Sequence, residues 1–142
     1  MTLKAAIYDP FLDTLGGGER YCLSVAEILL KNKYDVDIFW SGNQDILYAA
    51  EKRFNLNLQN VKIVPDIFGL VPAKIDLIED VNLKTIHSRP LPAPNPFQKI
   101  KNVYKKRQVL SQYDLVFYLS DGSIPLLFSK KNLLHVQVPL II

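Results

Sequence analysis

Between Lys4 and Leu30 the chain passes from a short apolar stretch through three consecutive glycines into a helix-forming run, and no other feature constrains the fold as much. Ala5-Ala6-Ile7-Tyr8 has the length of a strand and is closed by Asp9-Pro10. From Tyr21 to Leu30 the apolar residues Cys22, Val25, Ala26 and Leu29 recur at helical spacing. Strand, glycine turn and helix in that order open a doubly wound α/β domain, in which ligands sit beyond the carboxyl ends of the strands.

Gly16, Gly17 and Gly18 suit a tight turn into a helix and let a ligand approach the backbone. The helix start that follows offers unpaired N–H groups and a partial positive charge, which together favour a phosphate. A plain strand-to-helix turn uses the same residues. The spacing matches neither the dinucleotide fingerprint G-x-G-x-x-G nor the P-loop. Glu19 fits the first helical turn, where its charge opposes the helix dipole.

The rest of the chain repeats the alternation. Asp35 to Trp40 reads as a second parallel strand, with Asn32 as the helix stop before it. Asn43 is placed to cap a helix from Gln44 to about Arg53, with Ile46, Leu47, Ala50 and Phe54 inward. Val61 to Pro65 reads as a third strand, and residues 66–96 as an irregular, loop-rich insertion. Within it Leu83 to His87 has strand character, and four prolines at alternate positions from Pro90 to Pro96 forbid a helix. A helix is expected from about Phe97 to Ser111, with Phe97, Ile100, Tyr104 and, after them, Val103 inward and Lys99, Lys101, Lys105 and Lys106 outward. Tyr113 to Leu119 is a buried strand with Ser120-Asp121-Gly122 as its exit. Ser123 and Pro125 suit a short helix, and Asn132 to Val138 the last strand. The expected fold is α/β with a mainly parallel sheet, in which Ile7, Ile38, Ile63, Val116 and Val136 are central.

With 142 residues the chain is one domain's worth. No apolar run reaches the roughly 18 residues of a membrane span, and Met1 to Lys4 leads into a strand without a signal-peptide core. Cys22 is the single cysteine, which rules out an internal disulfide and fits a reducing, cytoplasmic setting. Its place on a helical apolar face makes it a core residue. The net charge of +3 is unevenly spread. Lys84, Arg89, Lys99, Lys101, Lys105, Lys106 and Arg107 fall in a stretch without an acid, leaving the remainder net acidic. Such a segment is either a solvated face or an attraction for anionic lipid surfaces and phosphate-bearing acceptors. A nucleic-acid partner is not expected, because the interleaved aromatics are needed for the core.

Chemistry-bearing residues are few. Asp121 follows a strand's carboxyl end, where an open α/β sheet places its site, and Asp-Gly is equally good turn chemistry. His135 lies in an apolar strand, where a lone histidine is ordinarily structural, and His87 is assigned no role. Cys22 and two distant histidines make no metal-ligand spacing, and no hydrolase motif is present. A nicotinamide enzyme needs an acid at the tip of the second strand, where Trp40-Ser41-Gly42 stands instead.

Leu15-Gly16-Gly17-Gly18-Glu19-Arg20, after a strand ending in Tyr8-Asp9-Pro10, resembles the amino-terminal start of the family-4 retaining glycosyltransferases. These are GT-B enzymes, and they include the eukaryotic mannosyltransferases that build lipid-linked oligosaccharides. The resemblance covers both ends of the chain better than its middle. It implies a Rossmann-like amino-terminal domain whose glycine loop lies near the diphosphate of a nucleotide sugar, with no metal or other cofactor. Leu133 to Pro139 resembles the family's strand ending in a histidine that faces the donor sugar, with a different spacing at Val136-Gln137. On that likeness His135 and Asp121 are the catalytic candidates, and Gly16, Gly17 and Gly18 bind phosphate. Lys99, Lys101, Lys105, Lys106 and Arg107 would face an acceptor or a membrane. Family members need a second, carboxyl-terminal domain holding the nucleotide, which residues 1–142 lack. With Pro139 to Ile142 an unlikely natural end, the chain is expected to be the acceptor-side half of such an enzyme, fragmentary or truncated. A non-catalytic α/β binding or interaction module is the alternative.

Overall fold

A computed structural model describes residues 1–68, 96–120 and 128–136 of the chain. The fold is α/β, Rossmann-like, with five parallel strands. They are β1 (Lys4–Tyr8), β2 (Asp35–Phe39), β3 (Lys62–Val64), β4 (Leu115–Ser120) and β5 (Lys131–Val136), in the spatial order β3-β2-β1-β4-β5. Three helices accompany them: α1 (Gly17–Lys31), α2 (Ile46–Phe54) and α3 (Pro96–Leu110). The expected strands at Ile7, Ile38, Ile63, Val116 and Val136 are all present. Ile7, Ile38 and Val116 are buried, whereas Ile63 and Val136 lie on the two outer strands and Val136 is exposed.

The sheet buries a separate core on each face, because successive strand residues point to opposite sides. On one face Cys22, Leu23 and Ala26 of α1, with Ile46 and Ala50 of α2, pack on Ile7, Val36, Ile38, Phe117 and Leu119. On the other, Leu110 at the end of α3 joins Ala6, Tyr8, Phe39, Tyr113, Val116 and Tyr118. The second core also encloses an acid. Asp37 is 5% exposed and accepts a 2.7 Å hydrogen bond from the Tyr113 hydroxyl across the sheet. That bond, after burial itself, pushes the phenol's pKa upward.

Local chemistry explains the boundaries. α1 starts at Gly17, four residues before the expected run, so that Gly17 and Gly18 form its first turn. At its other end the Asn32 carboxamide donates to the Ile28 carbonyl at 2.8 Å, and Lys33 takes a positive φ. α2 starts at Ile46, not Gln44, and Asn43 does not cap it. The Asn43 side chain accepts the Asp45 N–H at 2.9 Å, a local turn that holds the chain out of the helix. At the end of β2 the Trp40 indole donates to the Asn43 carbonyl at 3.1 Å and covers Gly42. A Cβ on Gly42 would come within 2.6 Å of that ring.

The largest departure concerns α3. Its bounds match expectation, with Pro96 in the first helical position, but its orientation does not. Phe97, Ile100 and Tyr104, expected inward, are 78%, 69% and 71% exposed. Lys106, expected outward, is half-buried with its ammonium 5.8 Å from the Phe68 ring. Val109 and Leu110 supply the inward contacts. The strand expected at Leu83 to His87, the proline run from Pro90 to Pro94, the turn at Asp121-Gly122 and the helix at Ser123-Pro125 lie outside the described residues.

Removing the Tyr113 hydroxyl leaves Asp37 buried without its partner. Tyr113→Phe should therefore lower unfolding free energy by about 1–3 kcal/mol, read from the denaturant midpoint. An unchanged midpoint would mean that water replaces the phenol.

Candidate functional site at the carboxyl end of the central strand

From β1 the sheet grows outward through β2 and β3 on one side and through β4 and β5 on the other. The carboxyl ends of β1 and β4 are therefore the topological switch point, where such sheets leave a crevice for a ligand. β1 delivers Tyr8 and Asp9 to this point, and a short 3-10 turn at Leu12–Thr14 leads on to the glycines. Leu15 sits in the left-handed region at φ 46°, which costs a non-glycine residue on the order of 1 kcal/mol. This outlier sets the chain's direction into Gly16, whose extended backbone begins α1.

The loop is tied down from below. Glu19, 5% exposed, accepts the Gly16 N–H at 2.8 Å, and the Arg20 N–H donates to the Gly16 carbonyl at 3.0 Å. A Cβ on Gly16 would meet the Glu19 carboxylate at 3.0 Å. Gly17 differs: it is exposed, and no described residue lies within 4 Å of where its Cβ would be. Its backbone is open to a ligand.

Beneath the loop lie two acids. Asp9 is 1% exposed and accepts the Phe11 N–H at 2.9 Å through Oδ1, while its Oδ2 makes no well-formed hydrogen bond among the described residues and has the Cys22 thiol and the Glu19 carboxyl as side-chain neighbours. Burial pushes the Asp9 carboxyl up to about 7; the Glu19 charge adds to this and the Phe11 N–H opposes it. The neighbouring Cys22 thiol is pushed upward by burial and then by Asp9, so it is an un-ionised core residue. On the opposite face of β1 the Tyr8 hydroxyl is also buried without a hydrogen-bond partner among the described residues, its ring 4.2 Å from Phe68 and 4.8 Å from Tyr118. Buried polar atoms nearly always find partners, so two orphans at one strand end stand out.

The predicted site residues divide into those the fold gathers and those it separates. Gly16, Gly17 and Gly18 occupy the start of α1 at the switch point. His135 lies level with Leu119 on β5, half-buried, with its ring 4.7 Å from Tyr21 and 6.3 Å from Phe117. Tyr21 stands one turn after Gly17 on the same face of α1, so the histidine packs one helical turn below the loop. Asp121 lies outside the described residues; its chain neighbour Ser120 ends β4 and is buried. Lys99, Lys101, Lys105 and Arg107 are exposed on α3, which packs on the opposite face of the sheet from α1. Lys105 and Lys106 line a cleft of about 200 Å³ with Asn102, Asp66, Ile67 and Phe68, just past the end of β3. Asp9 was legible only as a strand boundary and Glu19 only as a dipole partner. Their signal was an acid closing a strand and a second acid three residues after an N-capping glycine.

No family model matches the chain, and no curated protein or solved structure matches it either.

The Asp9 carboxyl gives a signed pH dependence. A folded value of about 7 against roughly 3.9 in the unfolded chain means that the folded state holds the extra proton between them. Its contribution, on the order of 4 kcal/mol, is complete below roughly pH 4 and is lost as pH rises through 7. Urea midpoints should fall between pH 5 and pH 8, and Asp9→Asn should flatten that slope.

Proposed function

We propose that this chain is the amino-terminal, acceptor-side domain of a glycosyltransferase that moves a sugar from a nucleotide sugar to an acceptor with retention. The observation that carries the reading is the open backbone of Gly17 at a helix N-terminus, at the switch point of a parallel sheet. The buried Asp9 carboxyl below it, which holds its proton until near neutrality, is compatible with an anion at that point. In this reading Gly16, Gly17 and Gly18 receive the donor diphosphate through backbone N–H groups. His135 and Asp121 are assigned to the sugar, and a second Rossmann-like domain holds the nucleotide. The reaction needs no metal in this scheme, because the helix dipole and backbone donors meet the diphosphate charge. The partners are the nucleotide sugar, that second domain and a lipid-linked or surface-glycan acceptor, in a cytoplasmic setting. A non-catalytic α/β module keeps the same fold but transfers nothing.

The acid pair makes the site conditional. An anion on the loop raises the carboxyl pKa beneath it, so diphosphate binding should take up a proton and weaken as pH rises through about 7.

Gly17 offers the cleanest test, since a side chain there meets open space among the described residues and its backbone is not in the left-handed region that favours glycine. In the protein joined to its nucleotide-binding domain, Gly17→Trp should abolish sugar transfer while leaving circular dichroism and melting unchanged. Full activity would reduce the loop to a turn. Residues 1–142 alone should transfer no sugar, because positioning of both reactants across a cleft supplies much of the rate. Transfer by this chain alone would overturn the two-domain reading.

A further inference from the structure

We infer that α3 is a membrane-docking helix that sinks its Phe97, Ile100 and Tyr104 stripe into the interface of an anionic bilayer. The inference stands apart from the glycosyl-transfer reading. At about 100° per residue these three side chains fall within roughly 60° of one another on the helix. All three point away from the domain, as their exposures of 78%, 69% and 71% show. Lys101 and Arg107 flank the stripe on its two sides, and Lys99 and Lys105 add further exposed cations. The helix Pro96–Leu110 carries five cations and no acid. None of the three ion pairs among the described residues involves it.

The chemistry selects one occupant. Aromatic and aliphatic side chains beside lysine and arginine on one helix are the pattern of an interfacial helix. A nucleic acid calls for a basic groove in which successive bases stack on aromatic rings, whereas the aromatics of this face are two, Phe97 and Tyr104, on a single helix. An acidic protein would satisfy the cations but must supply a matching apolar pocket. Fluid lipid needs none, since headgroups meet the charges and acyl chains meet the stripe. The opposite face of α3 is held by Val109 and Leu110 in the core and by Lys106 over Phe68. The stripe is thereby fixed outward. Asn102 and Lys105 border the cleft just past β3, so the middle of the helix stands near the carboxyl end of the sheet.

The test is cosedimentation of the protein with two vesicle types, phosphatidylcholine alone and a two-to-one mixture with phosphatidylglycerol. Binding to the mixed vesicles and not to the neutral ones is expected, with part of it surviving raised salt because the stripe is buried. Replacing Phe97, Ile100 and Tyr104 by Ser should lower partitioning at least about tenfold. It should not alter the melting temperature, because none of the three supports the core. Replacing Lys101 or Lys105 by Gln should cost roughly fivefold each at low salt. Absence of binding at low salt would overturn the inference, as would undiminished binding of the triple Ser variant. So would a wild-type dimer that this variant converts to monomer with vesicle binding unchanged, since the stripe would then join two copies of the chain.

Discussion

β1 is hydrogen-bonded along both edges and covered on both faces, and everything else is positioned by that enclosure. A strand in this setting has no water to satisfy its polar groups, so its backbone must pair with β2 and β4 over nearly its whole length. Ala5 and Ala6, fully buried, leave room for the cores on either side to close. The chain must then leave at Asp9 into the space between diverging neighbours. The glycine loop, the left-handed Leu15 and the start of α1 follow from having to turn there.

The same enclosure sets the electrostatics of the candidate site. A helix N-terminus attracts anions, yet Glu19 already occupies the Gly16 N–H and Asp9 lies beneath it. Two full charges in that space would repel a phosphate. Burial resolves the conflict by holding a proton on Asp9 until near neutrality, so the loop faces one compensated carboxylate instead of two. On the proposed reading, anion binding at this loop depends on a residue that touches no solvent.

β1 and β4 were readable because each is a short apolar run between polar turns, the pattern of a strand covered on both faces, and the remaining strands because turn residues bound their runs of strand length. The parallel order followed from the helices between them. Two kinds of feature escaped. α3 carries apolar side chains on two faces, Phe97, Ile100 and Tyr104 on one and Val109 with Leu110 on the other, and periodicity cannot say which pair of turns meets the sheet. The packing of Leu110 beside Tyr113 decides it, and that contact forms only when β4 is in place. The Asp9 and Glu19 pair escaped for a different reason. Each residue has a local explanation, and only burial shows that they share one space. At Asn43 the competing side chain-to-backbone bond won, as short polar side chains next to helix starts often allow.

Trp40 and Gly42 carry a consequence for how this chain can vary. Gly42 is held by its neighbour's indole, which would lie within 2.6 Å of any Cβ, and not by an unusual backbone angle. The two positions are therefore epistatic. An alanine at 42 is harmful while Trp40 is in place and becomes tolerable once a smaller side chain stands at 40. Because Trp40 is itself a buried core residue, the smaller side chain that frees position 42 opens a cavity beside it, and the two positions are held together from both sides.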